Sequence, residues 1–97
     1  MTFALPVFVE TSLGPLLLAL GKFGYVPGSC VASEEAFGNF RVVFQRGANA
    51  LAITHDRGQY LLEGSREEME AAGLWQAFAS AELLSVPLVN WLSSKRA

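Results

Sequence analysis

Few side chains in this 97-residue chain can make or break bonds, and those few are scattered. His55 is the only histidine and Cys30 the only cysteine. His55 stands next to Asp56, and an imidazole beside a carboxylate is the raw material of a general base. The local pattern argues against that use. Leu51-Ala52-Ile53-Thr54-His55 reads as a strand, where successive side chains leave on opposite faces, so His55 and Asp56 point apart. Asp56 is accounted for as the residue opening the turn at Arg57-Gly58. A nucleophilic Cys30 needs a base or a positive dipole beside it. His55 is the one base on offer, and nothing in the spacing brings the two together. Glu67, Glu68 and Glu70 open a helix instead of lining a loop shaped to surround a hard cation with oxygens. Gly21-Lys22-Phe23-Gly24 lacks phosphate-loop spacing. A single cysteine makes neither an internal disulfide nor a cysteine zinc site. The expectation is a non-enzymatic protein with no catalytic, cofactor-binding or metal-binding residues. The alternative is a small enzyme or ligand binder using Cys30, His55 and Glu34/Glu35, which requires those groups to converge on one pocket.

Contact chemistry is better represented. Phe37 stands in a polar stretch beside Glu34 and Glu35, and an aromatic flanked by acids suits a basic partner. With His55 and Asp56 these three residues make the expected partner-binding group: Glu34, Glu35, Phe37, His55, Asp56. Phe37 has a second reading, as a lid on the core. Trp75, Phe78 and Trp91 fall at helical spacing and read as core before they read as anchors.

The elements that must position these residues are legible from periodicity. Phe40-Arg41-Val42-Val43-Phe44-Gln45, Leu51 to His55 and Gln59-Tyr60-Leu61-Leu62-Glu63 are three strand-like runs split by two short turns, which predicts an antiparallel meander. Phe40, Val42 and Phe44 share one face with a matching set on the next strands. Apolar Val43 and Leu61 on the other face predict that this side is partly covered. A first helix is predicted over about Ser12 to Phe23, capped by Thr11 or Ser12, with Pro15 tolerated in its first turn. Residues 3–10 read equally as a helical turn or an edge strand. Residues 25–38 read as a loop, because Val26-Pro27-Gly28-Ser29 is turn chemistry. Ser65-Arg66-Glu67-Glu68 is a capping box. It opens a helix whose stripe would be Ala71, Leu74, Trp75, Phe78 and Ala81, with Gly73 either splitting or weakening it. A last helix is predicted from Ser85 or Val86 to Ser94, with Val86, Val89 and Leu92 as its stripe. The fold class is therefore α+β, a three-stranded antiparallel meander packed on an N-terminal helix and one or two C-terminal helices, in one domain spanning residues 1–97.

Composition narrows the function further. The net charge is −2, and no basic stripe exists to meet a phosphate backbone, so nucleic acid is not an expected partner. The apolar run Leu16–Leu20 is too short for a membrane span, and no basic residue precedes it to make a secretory signal. A cytoplasmic chain is expected. Charged residues make up 16% against a usual value of about 25%, so apolar surface is left over for a protein partner or a second copy. The order of helix, aromatic-glycine exit (Phe23-Gly24-Tyr25), meander and closing helices, with Arg41-Val42-Val43-Phe44, Leu51-Ala52-Ile53-Thr54 and Asp56-Arg57-Gly58, resembles small uncharacterised bacterial proteins. Some of these look like immunity proteins of bacterial toxin systems. That resemblance implies a protein that neutralises a toxin by binding it, and it carries no functional residue over. A homodimeric structural protein is the other non-enzymatic expectation, paired through an edge strand or the terminal helices.

Overall fold

A computed structural model of the chain describes residues 5–33 and 38–96. It is α+β. The elements run α1 (Val7–Leu13), α2 (Pro15–Lys22), β1 (Val26–Ser33), β2 (Asn39–Arg46), β3 (Asn49–Asp56), β4 (Gln59–Glu63), α3 (Arg66–Ala71), β5 (Ala77–Phe78) and α4 (Ala81–Arg96). The three expected strands are present as β2, β3 and β4. They form the middle of a five-stranded antiparallel sheet in the order β1-β2-β3-β4-β5, not a sheet of their own. The two-residue turns Gly47-Ala48 and Arg57-Gly58 set the register, pairing Arg46 with Asn49 and Asp56 with Gln59.

The segment expected to be a loop is the strand β1. Proline and glycine do mark an interruption there, but as a β-bulge: the register with β2 shifts between Pro27 and Ser29. An edge strand tolerates a proline because only one side of it pairs. A Cβ at the bulge residue Gly28 would sit 2.7 Å from the end of the exposed Gln45 side chain, which would have to swing aside.

The helices depart from expectation at their ends. Residues 7–13 are helical, which settles the ambiguous segment as far as it is described. Gly14 then breaks the expected single helix, with φ 44° and ψ −113°, a conformation open to glycine alone, and Pro15 starts α2 beyond it. Ser65 does sit at the N-cap of α3, but its side chain makes no capping hydrogen bond. At the other end of α3, Gly73 takes φ 73°. The Leu74 amide bonds back to the Met69 carbonyl (2.7 Å) and the Gly73 amide to Glu70 (3.2 Å). This Schellman closure ends the helix, so the expected stripe through Phe78 does not form. Leu74 is buried, Trp75 is 47% exposed, and Phe78 lies in β5. The last helix begins four residues early because Ser80 caps it, accepting the Leu83 amide at 3.2 Å. Ser85 spends its hydroxyl on the Glu82 carbonyl of the preceding turn. The buried stripe is Leu84, Leu88 and Leu92; Val86 faces solvent. Pro87 lies inside the helix, not in its first turn.

All four helices bury their apolar stripes against one face of the sheet. Val9, Leu13, Leu16, Leu20, Met69 and the α4 leucines form one cluster with Phe40, Val42, Phe44, Leu51, Ile53, Tyr60 and Leu62, which are alternate residues of β2, β3 and β4. The Tyr60 hydroxyl donates to the Ser12 carbonyl at 3.0 Å and also bonds the Ser12 hydroxyl, pinning α1 to β4. Arg46 stacks over Tyr25 and donates to the Phe23 carbonyl at 3.0 Å, tying the end of α2 to β2. No helix among the described residues is long and apolar enough to cross a membrane.

Candidate functional site: the helix-free face of the sheet

The two reactive side chains named from sequence share the core face but not a site. Cys30 lies opposite Val42, whereas His55 lies opposite Phe40. The two are separated by two strand spacings across the sheet and two residues along it. Strand spacing and rise place their Cα atoms about 12 Å from each other. His55 is half-buried. Its Nδ1 is 3.0 Å from the Gly38 carbonyl, its ring stacks on Phe40 (centroids 5.2 Å apart, 16° between planes), and Tyr60 tilts against it at 4.8 Å. Burial raises the pKa of the Cys30 thiol, which is the reverse of activation. Asp56 is exposed and turned away from His55, with Arg57 3.9 Å from it. Glu34, Glu35 and Phe37 lie outside the described residues. Of the expected partner-binding group, the structure therefore places His55 and Asp56 together at the end of the sheet, both lining a shallow hollow with Val31, Arg41 and Thr54.

The opposite face of the sheet is free of helices among the described residues. Three cross-strand rows compose it. Val31, Arg41, Thr54, Leu61 and Ala77 form one, Ser29, Val43, Ala52 and Glu63 the second, and Val26, Gln45 and Ala50 the third. None of these residues belongs to the hydrophobic cluster that the helices share. The apolar members of this floor, Val43, Ala50, Ala52, Leu61 and Ala77, are interspersed with polar Arg41, Gln45, Thr54 and Glu63, and its β1 edge holds the most exposed apolar ones: Val31 is 77% exposed and Val26 60%. Trp75 lines a hollow with Leu61 and Ala77, and the Arg66 guanidinium lies 5.3 Å over its ring.

One polar device crosses this floor. Arg41 Nε donates to Glu63 Oε2 at 2.8 Å, and the Thr54 hydroxyl donates to the same oxygen at 2.8 Å. Three strands are thereby joined through one carboxylate. The Arg41 hydrogen bond, helped by Thr54 and by the charge of Arg41, holds the Glu63 carboxyl below its usual pKa range despite some burial. Three shallow hollows of about 240, 290 and 230 Å³ run across the face and meet at Arg41 and Glu63. A groove of about 460 Å³ also separates α3 from α4, lined by Glu68, Pro87, Asn90 and Trp91. Val7, Leu18, Leu83 and Val86 are exposed on the helices.

A signal for the bare face is present in the sequence. Val43 and Leu61 break the apolar-polar alternation on the outer side of their strands, a break that predicts partial cover. Among the described residues no helix supplies the cover.

Comparison of the chain with protein-family models, with curated proteins and with solved structures returns no match.

Proposed function

We propose that this chain is a non-enzymatic binding module that acts by laying the helix-free face of its sheet against a protein partner. The observation that carries this reading is the character of the face: among the described residues no helix covers it, and Val31, Val43 and Leu61 surround one neutral Arg41–Glu63 pair. An apolar centre with a sparse set of polar contacts is the anatomy of a protein–protein interface. The hollows on it are too shallow and small for a small-molecule site, which buries most of its ligand in about 300–1,000 Å³. One arginine balanced by one glutamate gives the face no attraction for a phosphate backbone. The separation of Cys30 from His55 favours contact over bond-making. A neutralising complex of the immunity type is the finer form of this reading, since such a protein needs only to cover its target.

The test starts from a partner isolated with the chain as bait and then purified. Titration calorimetry with the wild type and with Leu61→Asp and Val43→Asp should show binding weakened at least about tenfold by either change, the equivalent of about 1.4 kcal/mol. Val86→Asp on α4 should leave it unchanged. Binding that survives both face variants and is lost in the helix variant overturns the proposal.

A homodimeric structural protein is the second reading, and one observation favours it. The edge strand β1 carries no charged residue from Val26 to Ser33, and Gly28, Ser29, Val31 and Ala32 are exposed along it.

A further inference from the structure

The two edges of the sheet are treated differently. β5 is two residues long and α4 follows it after two more, so little unpaired backbone is offered there. β1 is eight residues long. Natural sheets blunt exposed edges with charges, with proline and bulges, or by making them short. β1 has the proline and the bulge, but only at its first half. From Ser29 to Ser33 it pairs with β2 without interruption, and no lysine, arginine, aspartate or glutamate lies in that run. Among the described residues no strand pairs with its outer backbone groups, which then need water or another strand.

We infer that the partner of this edge is β1 of a second copy, paired antiparallel about a twofold axis at Val31. The inference rests on the dimer reading above. Centring on Val31 is what the bulge dictates: it is the midpoint of the uninterrupted run, and this register brings the most residues into pairing. Ser29 then faces Ser33 of the second copy, Cys30 faces Ala32, and Val31 faces itself. No pair sets like charges against each other, which would be destabilising directly across strands. A heterologous strand is not required, because an isologous interface needs a self-complementary patch and this run, uncharged at every position, is one. Identical residues facing across the axis lie on the same side of the joined sheet. Both helix layers therefore fall on one side, and the two bare faces become one floor. The 77%-exposed Val31 side chains of the two copies come together in its middle.

A single strand pair buries less than the roughly 1,200 Å² typical of stable complexes, so the dimer is concentration-dependent. Sedimentation equilibrium on the wild type, Val31→Lys, Val31→Asp and an equimolar mixture of the two variants tests it. Val31 is exposed, so both variants fold, which circular dichroism verifies. The wild type should dimerise, and each variant alone should be monomeric because the introduced charge meets its own copy across the axis. The mixture should dimerise again, as the introduced ammonium of one variant meets the introduced carboxylate of the other. A wild type that stays monomeric up to about 1 mM overturns both this inference and the dimer reading. A wild-type dimer that survives in Val31→Lys, or a mixture that stays monomeric, overturns the β1 pairing and its register while leaving dimerisation standing. Leu61→Asp, remote from β1 on the bare face, should leave the dimer intact, which separates this contact from docking of another protein on the floor.

Discussion

At the scale of single residues, Glu63 shows how a surface charge organises a sheet without adding much stability. Its carboxylate gathers Arg41 and Thr54 from two other strands, but Arg41 and Glu63 are each about half exposed, with side-chain values of 50% and 49%. Water and salt screen such a pair, and its worth is about 0–1 kcal/mol. Glu63→Gln should therefore cost less than about 1 kcal/mol at neutral pH in urea unfolding. The sign of the pH effect follows from the lowered pKa. The contribution is complete above the ordinary glutamate range and is lost as pH falls through the folded-state value. The stability gap between wild type and Glu63→Gln should thus close on acidification below about pH 4, and a gap that widens instead contradicts the assignment. The residues expected to bind a partner stand out in the sequence by their chemistry alone. Glu34, Glu35 and Phe37 lie outside the described residues, and for the other two a side chain's usefulness for contact depends on what leaves it uncovered. His55 looks available as the sole histidine, yet Phe40 and Tyr60 hold its ring between them. Leu61, expected on the outer face, lies there half-buried in a hollow with Trp75.

The elements are legible where two signals agree. In β2, β3 and β4 alternation coincides with short polar turns, and all three strands form as expected. β1 is illegible because an edge strand asks little of its side chains: its pairing is backbone, and Pro27-Gly28 resembles a turn until the bulge shows where that chemistry is used. β5, at two residues, has no period to detect. Helix ends depart from expectation where one glycine outweighs a favourable stripe. Gly73 closes α3 before Phe78, and Gly14 divides what leucine spacing makes continuous. Gly14 yields a sharp prediction. A Cβ there would meet nothing closer than the Thr11 carbonyl at 3.7 Å, so the obstacle is the backbone conformation and not space. Gly14→Ala should lower stability by about 1–3 kcal/mol through strain alone, read as a shift in urea midpoint with no change in slope. If the variant is as stable as wild type, the break between α1 and α2 is not held at Gly14.

For the whole molecule, the least extent of 20 Å is that of one sheet and one layer of helices, each about 10 Å deep. A two-layer domain has a single core, and α4 supplies three of its fully buried leucines. Leu88→Ala should cost about 2–5 kcal/mol, a large share of the roughly 5–15 kcal/mol typical of a small domain. Thermal denaturation would register this as a large fall in midpoint, and a fall of a degree or two would mean that α4 is peripheral. The order of the strands in the sheet is also their order along the chain, and the contact that closes the layer above them is α2 against α4. Each hairpin can therefore zip from residues close in sequence and give α1 and α2 a sheet to pack on, while the side of α2 that meets α4 has to wait for residues about sixty positions further along. The seam between α2 and α4 is thus a part of the helical layer whose closure depends on distant segments meeting.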